Sequence, residues 1–336
     1  RFHHEEDVMQ LCVENNGVIY EISEMCSELS WQDKLNSGAS VLEFTYLYDG
    51  ELMIKNGDVV RLTNTSEKDG IFFGEVFRVS MGEDRRVKVK AYDQLRRGKS
   101  KDIIPLKGGQ DDVVSVTQSM CRYLNLTAGD MPTGISYKVP KDKVKYQDTW
   151  IDVIYGLIGD TLLNTKTADN PQGEWYRLAD VYGKIRLDNL RDLQLPLVLG
   201  DDSLAYGYSW EKSIDDEFYN VVKISWMDEK NGKAQTTQAA DQDSVNRYGN
   251  LQYYEHVSDK SADVGKLQEK AKKLLQLYNH EKETIKLSCI GDHSVRAGCS
   301  IYGSIADIEL DRRVIVKEVT HKYLPTHTME LEVIAQ

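Results

Sequence analysis

The side chains in this chain that could hold a metal or move a proton are a few histidines and several paired aspartates. His3, His4, Glu5, Glu6 and Asp7 are all metal-ligand types. Neighbours in sequence rarely converge on one ion unless other elements contribute, so this run reads as an exposed terminus. His321 and His327 flank a stretch with Pro325, a turn signal. Across a hairpin the two imidazoles would face each other and could seat a metal; the ordinary reading is surface histidines on strands. Acidic pairs occur at Asp111-Asp112, Asp201-Asp202 and Asp215-Asp216. A glycosidase sets its carboxylates about 5 to 9 Å apart across a cleft. Adjacent aspartates point apart and serve as caps or turn residues. There is no G-x-S-x-G elbow, Walker loop or G-x-G-x-x-G fingerprint, and Gly108-Gly109 reads as a turn. The sequence therefore assigns no catalytic, cofactor-binding or metal-binding residue.

Composition narrows the classes further. The 336 residues exceed one small core, so two or three domains are expected. The formal net charge of −12 disfavours sequence-specific nucleic-acid binding, which needs a basic face. The one basic run, Arg96, Arg97, Lys99 and Lys101, lacks interleaved aromatics and reads as a solvated loop. An acidic surface suits solubility, or a passage to which DNA should not stick. Five cysteines without a CxxC pair argue against a disulfide framework or zinc ribbon and for free buried thiols. No apolar run would span a bilayer, and no secretory signal opens the chain. It begins at Arg1 rather than Met, which leaves room for an upstream stretch.

Residues 1–92 read as strands. Asn16-Gly17 closes a hairpin between 12–13 and 18–22, because both central positions of such a turn need positive φ. Further strands fall at 41–46, 58–63, 71–79 and 87–92, and residues 86–91 alternate strictly between charged and apolar. Residues 93–198 read as a small α+β domain. One helix at 112–124 is capped by Asp111 or Asp112, a second carries Trp150, Ile154, Leu157 and Thr161 behind Asp148, and a hairpin closes near Tyr182-Gly183. Residues 199–336 return to strands at 220–226, 252–257, 284–290, 300–305, 314–323 and 328–334, with a hairpin signal at Asn231-Gly232. One amphipathic helix there, 261–279, carries Val264, Leu267, Ala271, Leu274 and Tyr278 as its stripe. The expected class is mainly β with an α+β insertion, and the two strand-rich ends suggest a duplicated β domain.

Four stretches carry a family likeness: Lys90-Ala91-Tyr92-Asp93-Gln94-Leu95-Arg96; Ser213-Ile214-Asp215-Asp216-Glu217-Phe218-Tyr219-Asn220-Val221-Val222; Arg247-Tyr248-Gly249-Asn250-Leu251-Gln252-Tyr253-Tyr254-Glu255, before a helix ending Ala271-Lys272-Lys273-Leu274-Leu275; and Gly291-Asp292-His293-Ser294-Val295-Arg296-Ala297-Gly298. In this order and spacing the chain resembles the YqbQ/XkdQ family of phage-like tail proteins of Gram-positive bacteria. The resemblance implies a baseplate hub in a contractile tail or tail-derived particle, built as a homotrimer around the tail axis. It implies two tail-tube-like β-barrel or sandwich domains, 1–92 and 199–336, around the insertion at 93–198. Three such chains would mimic a sixfold ring and adapt the tail tube to a threefold central spike. The implied partners are tube, spike, tape-measure and other baseplate proteins, with no membrane insertion. The implied location is a virion or tail-like particle assembled in the bacterial cytoplasm. The resemblance implies no enzyme. The chain ends at Gln336 directly after a closing strand, so any cell-wall cleavage is expected of another polypeptide. Two alternatives remain: a carbohydrate- or receptor-binding tail-tip protein, marked by exposed aromatics on a sheet, and a cell-wall hydrolase, marked by paired carboxylates of raised pKa facing a cleft.

Overall fold

The computed structural model describes residues 9–64, 70–167, 169–170, 172–200, 203, 205–215, 217–228, 233–257 and 263–335. The fold is mainly β with an α+β insertion. Its chief feature is one mixed sheet of thirteen strands. The path runs Ala205–Ser213, Lys282–Ile290, Thr328–Ala335, Leu310–Lys322, Cys26–Lys34, Val41–Leu47, Arg86–Asp93, Phe72–Met81, Val59–Asn64, Met9–Asn15 and Val18–Glu21. Ser300–Ile305 also pairs with Leu310–Lys322, and Gln194–Gly200 lies parallel to Ser300–Ile305.

Period-two patterning sets the two faces. In Arg86–Asp93, Val87, Val89 and Ala91 are buried while Arg86 and Lys88 face water. The Asn16-Gly17 turn forms with φ of 52° and 78°. The two ends of the chain meet where Leu310–Lys322 pairs antiparallel with Cys26–Lys34, from Glu318 opposite Lys34 to Lys322 opposite Ser30. Under the sheet lie two cores. One is drawn from residues 11–91 with Tyr323, the other from residues 199–333.

The 93–198 region has its own core. Helix Val113–Leu124 is capped by Asp112, whose carboxylate accepts from Ser115 N at 2.8 Å. Helix Trp150–Thr165 is capped by Thr149 rather than Asp148, which sits in the strand Lys143–Thr149. That strand pairs with Lys101–Leu106 in a separate two-stranded sheet. The hairpin Tyr176–Val181 and Lys184–Asn189 turns at Tyr182 and Gly183.

By compactness the chain forms two units, Arg1–Ser209 with Ile285–Gln336, and Trp210–Thr284. In the second, Val221–Asp228 is flanked by Lys233–Ala240 and Gln252–Val257. Helix Val264–Tyr278, capped by Asp263, buries Leu267, Ala271 and Leu274 of the expected stripe, while Val264 at its first turn is 54% exposed; residue 261 lies outside the described residues. Asn231-Gly232 also lies outside them. No helix among the described residues is long and apolar enough to cross a membrane.

Candidate functional site

The groups singled out in the sequence mostly serve the fold. His3, His4, Glu5, Glu6, Asp7, Asp201, Asp202 and Asp216 lie outside the described residues. Asp111 accepts from Lys107 N at 2.7 Å and Ser115 Oγ at 3.1 Å, so with Asp112 it locks a helix start. Gly108 packs where a Cβ would strike the Lys141 backbone, and Gly109 has φ of 70°, as a turn requires. The basic run is no free loop: Arg96, Arg97 and Lys99 lie in a short 3₁₀ helix, Gln94–Lys99, and Lys101 opens the strand Lys101–Leu106. Arg96 stacks over Phe77 and Tyr92, aromatics supplied by neighbouring strands, and Arg97 pairs with Glu75.

Two aspartates, buried Asp93 and half-buried Asp180, have raised pKa values. Burial, reinforced by the nearby Asp180 carboxylate, drives Asp93 well above the usual carboxylate range. Burial raises Asp180 to about 6 against the pull of three backbone amides. Asp93 is closed off from solvent, Asp180 is half-buried, and both are taken up by hydrogen bonds. Asp93 accepts from Ser40 N and Ser40 Oγ, each at 2.7 Å, and from Leu95 N at 2.9 Å. Asp180 accepts from Gln94 N at 3.0 Å and Gly183 N at 2.6 Å. Neither is among the residues lining four surface depressions of 200 to 570 Å³. The pair ties strand Arg86–Asp93 to the insertion.

A second joint was not visible in the sequence. Asp33 and Arg177 form an ion pair at 2.9 Å, with side chains 11% and 5% exposed. Asp33 also accepts from Ala297 N at 3.1 Å, so one carboxylate links three distant stretches of chain. Beside it Asn36, at φ of 46°, bonds to Tyr176 O at 2.8 Å and Leu178 N at 3.0 Å.

His321 and His327 do face each other, with His321 Nδ1 3.0 Å from His327 Nε2. The reading of both as surface histidines fails for His321, which is 0% exposed. It lies opposite Trp31 and stacks on that indole with centroids 5.5 Å apart. The His293 ring lies tilted by 31° against His327, with centroids 4.2 Å apart. Among the described residues no three His, Cys, Asp or Glu side chains gather in a way that could hold a metal. Burial raises the thiols of Cys26 and Cys289 to about 12 and that of Cys121 to about 11, which suits inert packing groups.

The solvent face of the sheet is a ladder of opposed charges. Lys34 pairs with Glu318 at 3.0 Å, Lys90 with Glu43 at 2.9 Å, Lys317 with Glu332 at 2.5 Å and Lys322 with Glu330 at 2.6 Å. The sheet path ends at Val18–Glu21, where Val18 and Ile19 are exposed, and at Ala205–Ser213, where Tyr206 and Tyr208 are 65% and 42% exposed.

Comparison with known proteins places this arrangement. The YQBQ-like family model matches residues 29–334. YqbQ of Bacillus subtilis (strain 168) is 29% identical over 270 residues, covering 79% of this chain and 77% of that protein. The phage-like element PBSX protein XkdQ of the same strain is 26% identical over 302 residues, covering 85% and 87%. The 43 kDa tail protein of prophage MuSo2 from Shewanella oneidensis superposes with a TM-score of 0.69 at 10% identity, covering 97% of this chain and 98% of that one. The chain belongs to the YQBQ-like family, and its fold is that of a prophage tail protein.

Proposed function

We propose that this protein is a structural component of a phage tail or tail-derived particle, and within it the baseplate hub. Three copies would ring the tail axis and adapt the sixfold tube to a threefold spike. Residues 1–92 and 199–336 would be the two tube-like domains of each copy, and 93–198 the domain that decorates the ring. One observation carries the reading: a single sheet passes through both strand-rich ends, joined where Leu310–Lys322 pairs with Cys26–Lys34. Open sheet edges are a hazard for a lone protein, and closed cyclic symmetry gives them neighbours. Under this reading the two end strands of the path meet adjacent copies, and the charge ladder faces the passage. The partners would be tube, spike, tape-measure and other baseplate proteins. The particle would be assembled in the bacterial cytoplasm. The protein itself would be no enzyme, a reading supported by the full engagement of Asp93, Asp111, Asp112 and Asp180 in helix starts and backbone anchoring.

Electron microscopy of purified particles tests this. Three copies on the axis between tube and spike are expected; a peripheral position in six or more copies would overturn the hub. A second reading, glycan or receptor binding at the tail tip, is favoured by the exposed rings of Tyr206 and Tyr208 on one strand. Binding on a glycan array, lost in Tyr206→Ala/Tyr208→Ala, would move it to the front.

A further inference from the structure

The 291–298 loop grips two parts of the sheet at once. At its first end Gly291 N donates to His327 O at 3.0 Å, and a Cβ at Gly291 would fall on the His327 ring. In its middle Val295 O lies 2.9 Å from His321 Nε2. At its far end Arg296 covers the Trp31 ring at 5.0 Å and donates to Gly70 O at 3.3 Å and Ile71 O at 3.4 Å. Ala297 N then reaches Asp33 Oδ2 and Gly298 N donates to Val316 O at 2.7 Å.

The hydrogen bonds settle where the proton on His321 resides. A carbonyl only accepts, so Nε2 carries the hydrogen that Val295 O receives. Nδ1 therefore holds a lone pair and accepts from His327 Nε2–H. A second proton on His321 would set two N–H groups head to head unless His327 moved its own hydrogen to Nδ1, and in either case would place a cation in the core. The charged and titratable groups facing it are mostly basic. They are His327 from the turn before strand Thr328–Ala335, and His293 and Arg296 from the loop; the Tyr323 phenol, just past the end of His321's own strand, stacks on its ring with centroids 5.8 Å apart. From Cys26–Lys34 the inward-facing carboxylate is Asp33, and Arg177 already occupies it. Asp292, in the loop, accepts from Ser294 N at 2.9 Å and Ser294 Oγ at 2.6 Å.

We propose that the 291–298 loop is an acid-releasable clasp, closed while His321 is neutral and opened from the Cys26–Lys34 strand when His321 gains a proton. Burial first, and then the neighbouring imidazoles and Arg296, hold the His321 pKa down to about 3 in the closed form, against the favourable bond to Val295. An open form that returns the ring to water would restore an ordinary value of about 6.5. Between pH 7 and pH 5 the open population then rises on the order of 20-fold. The clasp is independent of where the protein sits in a particle.

Cys299 reports the opening. It is buried next to the loop, with its thiol 3.9 Å from Ser294 O. The full chain is treated with 4,4′-dithiodipyridine from pH 7 to pH 4, with rates normalised to the unfolded chain and sites mapped by mass spectrometry. Normalised labelling at Cys299 is expected to climb as pH falls while Cys121, in the insertion core, stays protected. His321→Gln keeps a donor for Val295 and an acceptor for His327 without a titratable ring, so its profile should be flat. His327→Gln serves as the second variant and should retain the climb, because His321 still titrates. A flat wild-type profile, an unchanged climb in His321→Gln, or Cys121 and Cys299 rising together would each overturn the clasp.

Discussion

Replacing Arg177 by methionine keeps a long side chain at the joint between the insertion and the sheet but removes the cation that faces Asp33. The cost follows from burial. With the two side chains 11% and 5% exposed, water cannot stand in for the missing guanidinium. Asp33 would keep the Ala297 amide, and its charge would otherwise be stranded. Breaking a buried pair from one side costs about 3–5 kcal/mol, whereas removing both charges costs much less. Arg177→Met should therefore lose about 3–5 kcal/mol, and Arg177→Met/Asp33→Asn should recover at least ~1 kcal/mol of it, because Asn can still accept from Ala297. Urea unfolding followed by circular dichroism at pH 7 measures all three proteins. A single variant within ~1 kcal/mol of wild type, or a double variant worse than the single, would refute the argument that this pair holds the joint.

Three further outcomes follow from named contacts. Leu274→Asp places a carboxylate on the buried face of Val264–Tyr278 and should cost several kcal/mol, roughly enough to unfold Trp210–Thr284; limited proteolysis should cut within 210–284, and an unchanged digestion pattern would reject the helix assignment. Asp180, raised to about 6 when folded from an ordinary 3.8, binds more protons folded than unfolded between those values, so its stability contribution is full below 3.8 and is lost as pH rises through about 6. Asp180→Asn, at the price of one hydrogen bond, should gain about 2 kcal/mol on the wild type between pH 4.5 and pH 7, and parallel pH profiles would count against the shift. Gly200→Ala puts a methyl onto Ser304 O in the parallel pairing of Gln194–Gly200 with Ser300–Ile305, and a melting temperature unchanged by it would argue against that register.

Local patterns in the sequence led to local structure. The Asn16-Gly17 turn, the alternation at residues 86–91 and the Leu267, Ala271 and Leu274 stripe each follow from a few adjacent residues, and each formed. The strand Cys26–Lys34 had no such signal, because its inward positions are Leu29, Trp31 and Asp33. An aspartate breaks the apolar alternation and makes sense only beside Arg177, 144 positions away. His321 was hidden for the same reason. Its strand neighbours read as a solvated surface, and the loop that buries it lies 26 positions earlier. The strand Ala205–Ser213 mixes three aromatics with four polar residues in nine positions; it ends the sheet path, and an edge strand lacks the two-sided burial that makes a strand readable.

The stretches that carry the family likeness gain a physical meaning from this. Asp93 anchors Ser40 and starts a 3₁₀ helix. Asn220 is fully buried and bonds to Gly249 O at 2.8 Å and Leu251 N at 2.9 Å, so two of the stretches meet through one side chain. The 291–298 stretch is the loop that joins the last strands to the first. Each places a buried polar group whose partners lie far away in sequence. Such a group is costly unless every partner is present, which favours one arrangement of chain segments over near alternatives. In a protein whose proposed work is to hold a fixed shape between two rings, such joints give each of these stretches a structural reason for its polar residues.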